Sequence, residues 1–283
     1  MNHNPTNNNH FEIHYAPKAQ TKLPPIKYPH YLAGIVGEGH FKISVGLTEF
    51  EAGPGTIWFV APQQIYTCED VEEASQAYYV TFSPDYALKE YDNKKLLDEL
   101  PFFSPLHRPY AVLREAAEEK VYMLFEAIHE EYAGKRVNKD ALIRLKLIEI
   151  LLTTERYFKE AYLDSLTRTA DLISRFKVLI EEHFRAHLPP SAYAAMLDVH
   201  PNYLNRAVKT LTNRTCSETI NERVKLEAQS LLTFTSLSVP EVSEKLGFAE
   251  TTHFTRFFRK QTGMSPVRFR KNHQLQDEPA ASR

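Results

Sequence analysis

The chain has 283 residues, of which 43% are hydrophobic and 25% charged, and its formal net charge is −2. This composition is typical of a water-soluble globular protein, and the length accommodates two ordinary domains. No apolar run reaches the roughly 18 residues of a membrane span, and the first residues lack the pattern of a secretory signal. Cys68 and Cys216 lie far apart in the sequence. We therefore expect no disulfide framework, no membrane partner and a cytoplasmic location.

The small net charge conceals an uneven distribution. Residues 1–173 contain 18 Lys and Arg against 25 Asp and Glu, which gives −7. Residues 174–273 contain 15 against 9, which gives +6, and the last ten residues add −1. A basic domain behind an acidic one indicates different partners for the two parts, and nucleic acid suits the basic one.

The first half of the chain predicts short strands. Residues 1–25 are rich in Asn, His and Pro and are predicted to form a flexible arm. Phe41–Leu47, Thr56–Val60 and the run "AYYVTFSP", which stops at Pro84, are β-prone and separated by Gly and Pro. Closely spaced strands of this kind predict a small barrel or sandwich.

Two long helices follow the strands. The first is predicted to stop at Gly134, and the second begins at Asn138 as its N-cap. Their apolar residues recur at near-helical spacing: Leu113, Ala117, Leu124, Ile128 and Tyr132 in the first, and Leu142, Leu145, Ile148 and Leu152 in the second. Such wide apolar faces cover the barrel, pair with a second chain, or do both.

The apolar period breaks at 164–169, where the charge balance also changes, so a linker is predicted there. Beyond it no strand signal remains. The predicted domains are 26–165, with strands and two dimerisation helices, and 166–273, all helical. Residues 274–283 are a polar tail that is predicted to be disordered. The fold class is therefore α+β.

The basic part contains an internal repeat. "MLDVHPNYLNRAVKTLTNRT" at 196–215 matches "KLGFAETTHFTRFFRKQTGMS" at 245–265, first with an offset of 49 and, after one inserted residue, of 50. Asp198 then aligns with Gly247 and Asn213 with Gly263. Gly, Asn and Asp are the residue types that best tolerate a left-handed backbone. These positions therefore predict the turn before the second helix of each copy and the residue at which that helix ends.

Each copy predicts a helix–turn–helix. In the second, Ser238 and Glu241 form a capping box with Pro240 in the first turn, and Gly247 ends the short helix. Apolar side chains on one side of each following helix are predicted to pack inward: Tyr203, Leu204, Ala207 and Val208 in the first, and Phe254, Phe257 and Phe258 in the second.

The opposite side of each second helix is polar and cationic, which indicates double-stranded DNA as the partner. Arg reads guanine, Asn reads adenine, Thr contacts the thymine methyl group, and flanking Lys and Arg neutralise phosphates. The candidate DNA-contacting residues are Asn202, Asn205, Arg206 and Lys209 in the first unit, and Thr251, Thr252, Thr255, Arg256 and Arg259 in the second.

Over about residues 170–272 these motifs resemble the AraC/XylS family of bacterial transcription regulators. The second copy keeps the family's capped helix, "GF", aromatic–Arg helix and "G.SP" pattern. The resemblance implies two helix–turn–helix units bridged by the long helix "CSETINERVKLEAQSLLTFT", with recognition helices in successive major grooves roughly 34 Å apart. It also implies a homodimer, a nucleoid-associated location and RNA polymerase as a partner, and it adds His253, partly inward, to the candidate DNA contacts of the second unit. His200, Asp198 and Ala249 depart from the family's usual residues.

The N-terminal half resembles the cupin-like sensor barrel of such regulators through "GPGTIWFVAP", "QQIYTC" and "YYVTFSPDY". The resemblance implies a small organic effector. Tyr66 stands where a metal-binding cupin often has His, and His14, His30 and His40 lack ligand spacing, so we expect neither metal nor cofactor. The candidate effector-binding residues are His30, Lys42, Trp58, Tyr66 and Tyr79.

The expected function is therefore a ligand-responsive transcriptional activator that controls uptake or metabolism of a small molecule. One alternative is a regulator without an effector, whose barrel only dimerises. Another is a cupin-type enzyme with a DNA-binding tail. No Ser/His/Asp spacing, glycine-rich phosphate loop or paired-His motif favours the enzyme, so we expect no catalytic activity.

Overall fold

The computed structural model describes residues 9–16, 24–70, 75–104, 106–163 and 168–274. Backbone contacts divide the chain into two compact units, Met1–Leu23 with Lys27–Leu166, and Pro24–Ile26 with Thr167–Arg283. Most of the predicted linker, the tail from 275 onward, and residues 1–8 and 17–23 of the predicted arm lie outside the described residues.

The first unit is built on two sheets. Their strand orders are β1-β8-β3-β6-β9 and β2-β7-β4-β5. The strands are β1 Phe11–Ala16, β2 Ile26–Lys27, β3 Tyr31–Glu38, β4 Phe41–Val45, β5 Thr48–Ala52, β6 Thr56–Val60, β7 Ile65–Asp70, β8 Gln76–Phe82 and β9 Tyr110–Val112. The strands therefore form two open sheets of a sandwich and not a closed barrel, with β9 and β5 at the ends of the two sheets.

Strand β1 corrects the prediction that all of 1–25 is a flexible arm. It pairs antiparallel with β8, and Phe11 and Ile13 are buried. The side chains of Phe11, Ile13 and Tyr15 alternate with polar ones, which is the pattern of a half-buried strand. The many Asn and His residues around this short segment obscure that pattern in the sequence.

The larger sheet has an apolar core on each face. On β3, Tyr31, Ala33 and Ile35 belong to a buried cluster shared with the helices that follow the strands. Leu32 and Val36 point to the opposite face and are also buried. The helices are α1 Pro84–Ala87, α2 Leu96–Glu99, α3 Ala116–Ala133 and α4 Lys139–Leu163. Because each fully buried Leu, Ile or Phe contributes about 1.5–3 kcal/mol, these two cores dominate the stability of the unit.

Helix α4 buries a row of residues beside the predicted apolar face, and within that face Ile148 alone is buried. Ile143, Leu147 and Leu151 are fully buried, whereas Leu142 is 38% exposed and Leu145 66% exposed. The helix is apolar on both sides, so the sequence period fits two faces equally well. Only packing against α3, α1 and the 3-10 turn Pro101–Phe103 decides between them, and it leaves Leu142 and Leu145 on the surface.

From residue 168 to residue 274 the second unit consists of helices joined by turns. Its helices are α5 Arg168–His183, α6 Pro190–Met196, α7 Pro201–Thr212, α8 Cys216–Phe234, α9 Val239–Lys245, α10 Thr251–Thr262 and α11 Pro266–Gln274. The long helix α8 separates the pair α6–α7 from the pair α9–α10, as the sequence predicts. In the described part of the whole chain, no helix is long and apolar enough to cross a membrane.

Candidate nucleic-acid interface

The two turns between short and long helices have the same backbone geometry. Asp198 has φ +54° and Gly247 has φ +79°, so both adopt the left-handed conformation that the repeat predicts. The next residue in each turn donates its N–H back into the first helix, from Val199 to Ala194 at 3.0 Å and from Phe248 to Ser243 at 3.1 Å. This confirms the prediction that Asp198 replaces glycine in the first unit.

The helix starts are capped by different means. Ser238 and Glu241 form the predicted capping box, and the hydrogen bonds from the Ser238 hydroxyl and N–H lower the pKa of the Glu241 carboxyl. At α7, the Nδ1 atom of His200 accepts the N–H of Asn202 at 3.2 Å. His200 therefore serves as the N-cap that its position in the repeat requires.

The recognition helices α7 and α10 end alike. Asn213 has φ +54° and Gly263 φ +78°, and their N–H groups donate to the carbonyls of Lys209 and Arg259 respectively. Both helices thus span 12 residues and stop at a left-handed residue, as predicted.

Each recognition helix rests on a buried apolar row. Leu204 and Val208 are at most 1% exposed, and their counterparts Phe254 and Phe258 are completely buried. Tyr203, however, is 41% exposed, so its predicted inward orientation is wrong. Tyr203 comes one residue before Leu204, so its side chain points in a different direction from the buried row. Its counterpart in the repeat, His253, is exposed on α10 for the same reason.

The opposite face of each helix is exposed and matches position for position. Asn202, Arg206 and Lys209 are spaced i, i+4 and i+7 along α7, and Thr252, Arg256 and Arg259 repeat that spacing on α10. This spacing places each trio on one side of its helix. Within the described residues, none of the four basic side chains is paired with a carboxylate, so all four charges are available to phosphates or bases. His253 is exposed, whereas Thr251 and Thr255 are half-buried.

Asn205 is half-buried and has a structural partner. Its Oδ1 atom accepts the N–H of Cys216 at 3.0 Å and so caps the first turn of α8. The corresponding pair in the second unit is Thr255 and Pro266, and proline has no N–H to satisfy. Sequence reasoning missed this role because the bond connects two helices. It also missed Tyr203 as a surface residue, although the repeat aligns Tyr203 with the candidate His253.

The scaffold behind the helices contains a buried ion-pair network. Arg223 on α8 donates to Glu181 at 2.6 Å and to Glu227 at 2.8 Å, and its guanidinium lies 4.1 Å from the ring centroid of Phe184. Arg223 and Glu227 are nearly completely buried. Because a buried charge is costly without its partner, the network fixes α8 against α5 and the short 3-10 turn Phe184–Ala186.

The predicted effector residues divide into two groups. Trp58 and Tyr66 are buried on the faces that the two sheets turn towards each other, and Tyr79 is half-buried on that side of β8. Burial raises the pKa of Tyr66 well above its ordinary value. The indole Nε1 of Trp58 is buried and has no hydrogen-bond partner.

The two basic candidates lie elsewhere. Lys42 is exposed between the buried residues Phe41 and Ile43, and its Nζ lies 3.1 Å from Glu49 on β5. Its side chain therefore points away from the space between the sheets, which corrects its predicted place in a pocket. His30 is half-buried and stacks on His10 with 4.0 Å between ring centroids. No group of three or more His, Cys, Asp or Glu that could hold a metal is found among the described residues.

A two-sheet domain followed by two matched helix–turn–helix units defines a DNA-binding protein with an attached sheet domain. Comparison with known proteins adds the family. Residues 8–151, more than half of the chain, match an AraC-like ligand binding domain, and residues 193–272 match a helix-turn-helix domain. The chain belongs to the AraC family of transcriptional regulators.

Individual relatives are distant. The HTH-type transcriptional activator RhaS of Shigella dysenteriae is 22% identical over 75% of this chain and 74% of its own. The regulator YisR of Bacillus subtilis is 22% identical over 83% and 84%, respectively. The match to YijO of Escherichia coli, at 27% identity, spans 47% of this chain and only about half of that protein, 48%. The crystal structure of ToxT from Vibrio cholerae aligns over 93% of this chain and 97% of its own at 12% identity, with a TM-score of 0.43.

Proposed function

We propose that the protein is an activator of transcription that places α7 and α10 in successive major grooves of an operator. The supporting observation is the matched row of exposed side chains at i, i+4 and i+7 on both helices, each row backed by completely buried residues. Arg206 and Arg256 occupy the middle of their rows, where a guanidinium reaches the guanine edge bidentately. Lys209 and Arg259, one turn later, contact phosphates.

The surrounding residues have secondary roles in this proposal. Asn202, Tyr203, Thr252 and His253 lie near the exposed start of each helix and add base or phosphate contacts. Thr251 and Thr255 contribute from half-buried positions. Asn205 acts chiefly through α8, because its carbonyl oxygen already accepts the Cys216 N–H.

Genome-wide binding of the tagged protein tests this proposal. We expect discrete peaks that share a two-part motif and are lost when Arg206 and Arg256 are both replaced by Ala. The matched control is Arg136→Ala, which removes an exposed arginine between α3 and α4, outside the helix–turn–helix units. In vitro, the slope of log affinity against log salt decreases by about 0.9 for each phosphate contact removed, as in Lys209→Ala. Peaks that are indifferent to both arginines would overturn the assignment.

The homodimer is the second part of the proposal, and the exposed side of α3 and α4 supports it. Leu145 is 66% and Met123 55% exposed, and both border shallow cavities along these helices. An apolar surface of this kind is typical of a subunit interface. In sedimentation experiments, Leu145→Glu is expected to yield monomers, whereas Val267→Glu, at an equally exposed position on α11, leaves the dimer intact.

The effector is the third part. The buried, unpartnered Nε1 of Trp58 and the phenol of Tyr66 line the space between the sheets and suit a small organic molecule with a hydrogen-bond acceptor. The name of the relative RhaS favours activation, which requires contact with RNA polymerase in the cytoplasm. A regulator without effector is favoured instead if no small molecule changes DNA affinity, oligomeric state or transcription. We propose no enzymatic activity, because the named relatives are regulators.

A further inference from the structure

A cavity of about 380 Å³ lies beside β9, the last strand of the larger sheet. Its walls include Arg108, Tyr110, Val112, Arg114, Tyr157 and Phe158. The volume is within the range of small-molecule sites, about 300–1,000 Å³. Tyr157 and Phe158 lie beyond residue 151, where the match to the ligand-binding domain ends, and none of the predicted effector residues lines this cavity.

Strand β9 gives the cavity hydrogen-bonding groups because it is the last strand of its sheet. Its only paired neighbour in the described sheet is β6, with Trp58 opposite Tyr110. The Pro109 carbonyl accepts from Phe59 at 2.8 Å and the Leu113 N–H donates to Gly55 at 2.9 Å, so these flanking residues point towards β6. Since backbone direction alternates along an antiparallel strand, the N–H and C=O groups of Tyr110 and Val112 point to the free edge.

The charge of the cavity is positive. Arg108 precedes β9 and Arg114 follows it, and no Asp or Glu is among the described residues that line the walls. Both side chains are exposed, and neither is ion-paired among the described residues. Two guanidiniums without counter-charge around a concave surface favour a carboxylate or phosphate, to which Arg donates bidentately.

The remaining walls are aromatic and rigid. Tyr110 stacks on Phe50 of β5 with 4.0 Å between ring centroids, and the Arg108 guanidinium lies 5.7 Å from the centroid of the Tyr110 ring. Phe158 is 3% exposed and contacts Phe102 edge-on. A ligand that fits these walls therefore combines an anionic group with an apolar or aromatic body.

We propose that this cavity binds a small organic anion, a carboxylate or a phosphate monoester, with Arg108 and Arg114 holding the charge and Tyr110, Tyr157 and Phe158 contacting the body. None of the residues proposed for the effector site between the sheets lines this cavity. The inference does not depend on DNA binding, so it stands or fails independently of the proposed function.

Titration calorimetry on the full chain tests it with four probes: phenylphosphate, phenylacetate, inorganic phosphate and the neutral 2-phenylethanol. We expect one of the two aromatic anions to bind at a single site, more tightly than inorganic phosphate or the alcohol. The stronger of the two identifies the charged group as phosphate or carboxylate. Binding should also change the fluorescence of Trp58, the one tryptophan of the chain, which is opposite Tyr110 in the sheet.

Substitutions locate the site. Arg108→Gln and Arg114→Gln should each weaken binding by about tenfold or more, because each removes a charge-assisted hydrogen bond. Arg136→Gln, an exposed arginine between α3 and α4, should leave the affinity unchanged. All three positions are exposed, so the variants should unfold at the wild-type temperature. The proposal is overturned if neither aromatic anion binds at millimolar concentration, if both cavity variants bind as the wild type does, or if the alcohol binds equally well.

Discussion

The two helix–turn–helix units have nearly identical turns, each with one left-handed residue. Only the second turn also requires that residue to be glycine. In the first unit Asp198 occupies the turn, so a side chain fits there at φ +54°. In the second, a Cβ on Gly247 would lie 2.0 Å from the carbonyl oxygen of Arg185, in the segment before the first unit. The second turn thus packs directly on backbone, and its glycine is needed for space as well as for φ.

The largest expected effect comes from Gly247→Ala. The substitution places a methyl group against the Arg185 carbonyl and also occupies a left-handed conformation that costs L-residues about 1–2 kcal/mol. With the backbone shift that the clash forces, the free energy of unfolding of the full chain should fall by about 2–4 kcal/mol. Urea unfolding followed by circular dichroism measures this change.

Gly263→Ala is the matched control. Its φ of +78° is close to that of Gly247, but no atom lies within 4 Å of the added Cβ, so only the conformational cost of about 1–2 kcal/mol remains. Equal losses for the two variants would show that the contact between Gly247 and Arg185 contributes nothing, and that the two turns differ only in sequence.

The repeat explains why this part of the fold can be predicted from sequence. Aligning Asp198 with Gly247 and Asn213 with Gly263 predicts four left-handed positions from residue type alone, and all four are confirmed. Such local conformations depend on the residue itself. Which apolar face of α4 packs inside its unit could not be predicted in this way, because that helix is apolar on both sides and the choice depends on packing with distant residues.

In the candidate DNA-binding site, too, some features follow from local sequence and others depend on packing between helices. Exposure of Arg206 and Arg256 follows from helical spacing and could be predicted. The bond between Asn205 and Cys216 could not, because it joins residues 11 positions apart whose proximity depends on how α7 and α8 meet. The sequence does contain one relevant signal, since Pro266 aligns with Cys216 and removes the N–H in the second unit.

The next effect is smaller and distinguishes Asn205 from its counterpart. Asn205→Ala leaves the Cys216 N–H without its acceptor, and we expect the free energy of unfolding to fall by about 1 kcal/mol. Thr255→Ala should change it by less than about 0.5 kcal/mol, because residue 266 is proline. Denaturant titration of both variants beside the wild type checks this. A loss in Thr255→Ala as large as that in Asn205→Ala would contradict the structural role assigned to Asn205.

The smallest effect concerns the leading helices and depends on pH. Helix α9 begins with the Ser238–Glu241 capping box, whereas α6 begins after Pro189 with no side-chain cap. Hydrogen bonds from Ser238 hold the folded-state pKa of Glu241 below its ordinary value of 4.5. A lowered folded-state pKa means that this contribution to stability is complete above pH 4.5 and is lost as the pH falls through the folded-state pKa. Glu241→Gln keeps the shape of the cap but removes the group that titrates. The variant should therefore lose less free energy of unfolding than the wild type between pH 7 and acid pH. Glu244→Gln, on the same helix, is the control and should behave as the wild type does. If Glu241→Gln loses as much stability in acid as the wild type, the acid sensitivity does not arise at the capping box of α9. Helices α6 and α9 would then not differ in the pH dependence of their stability.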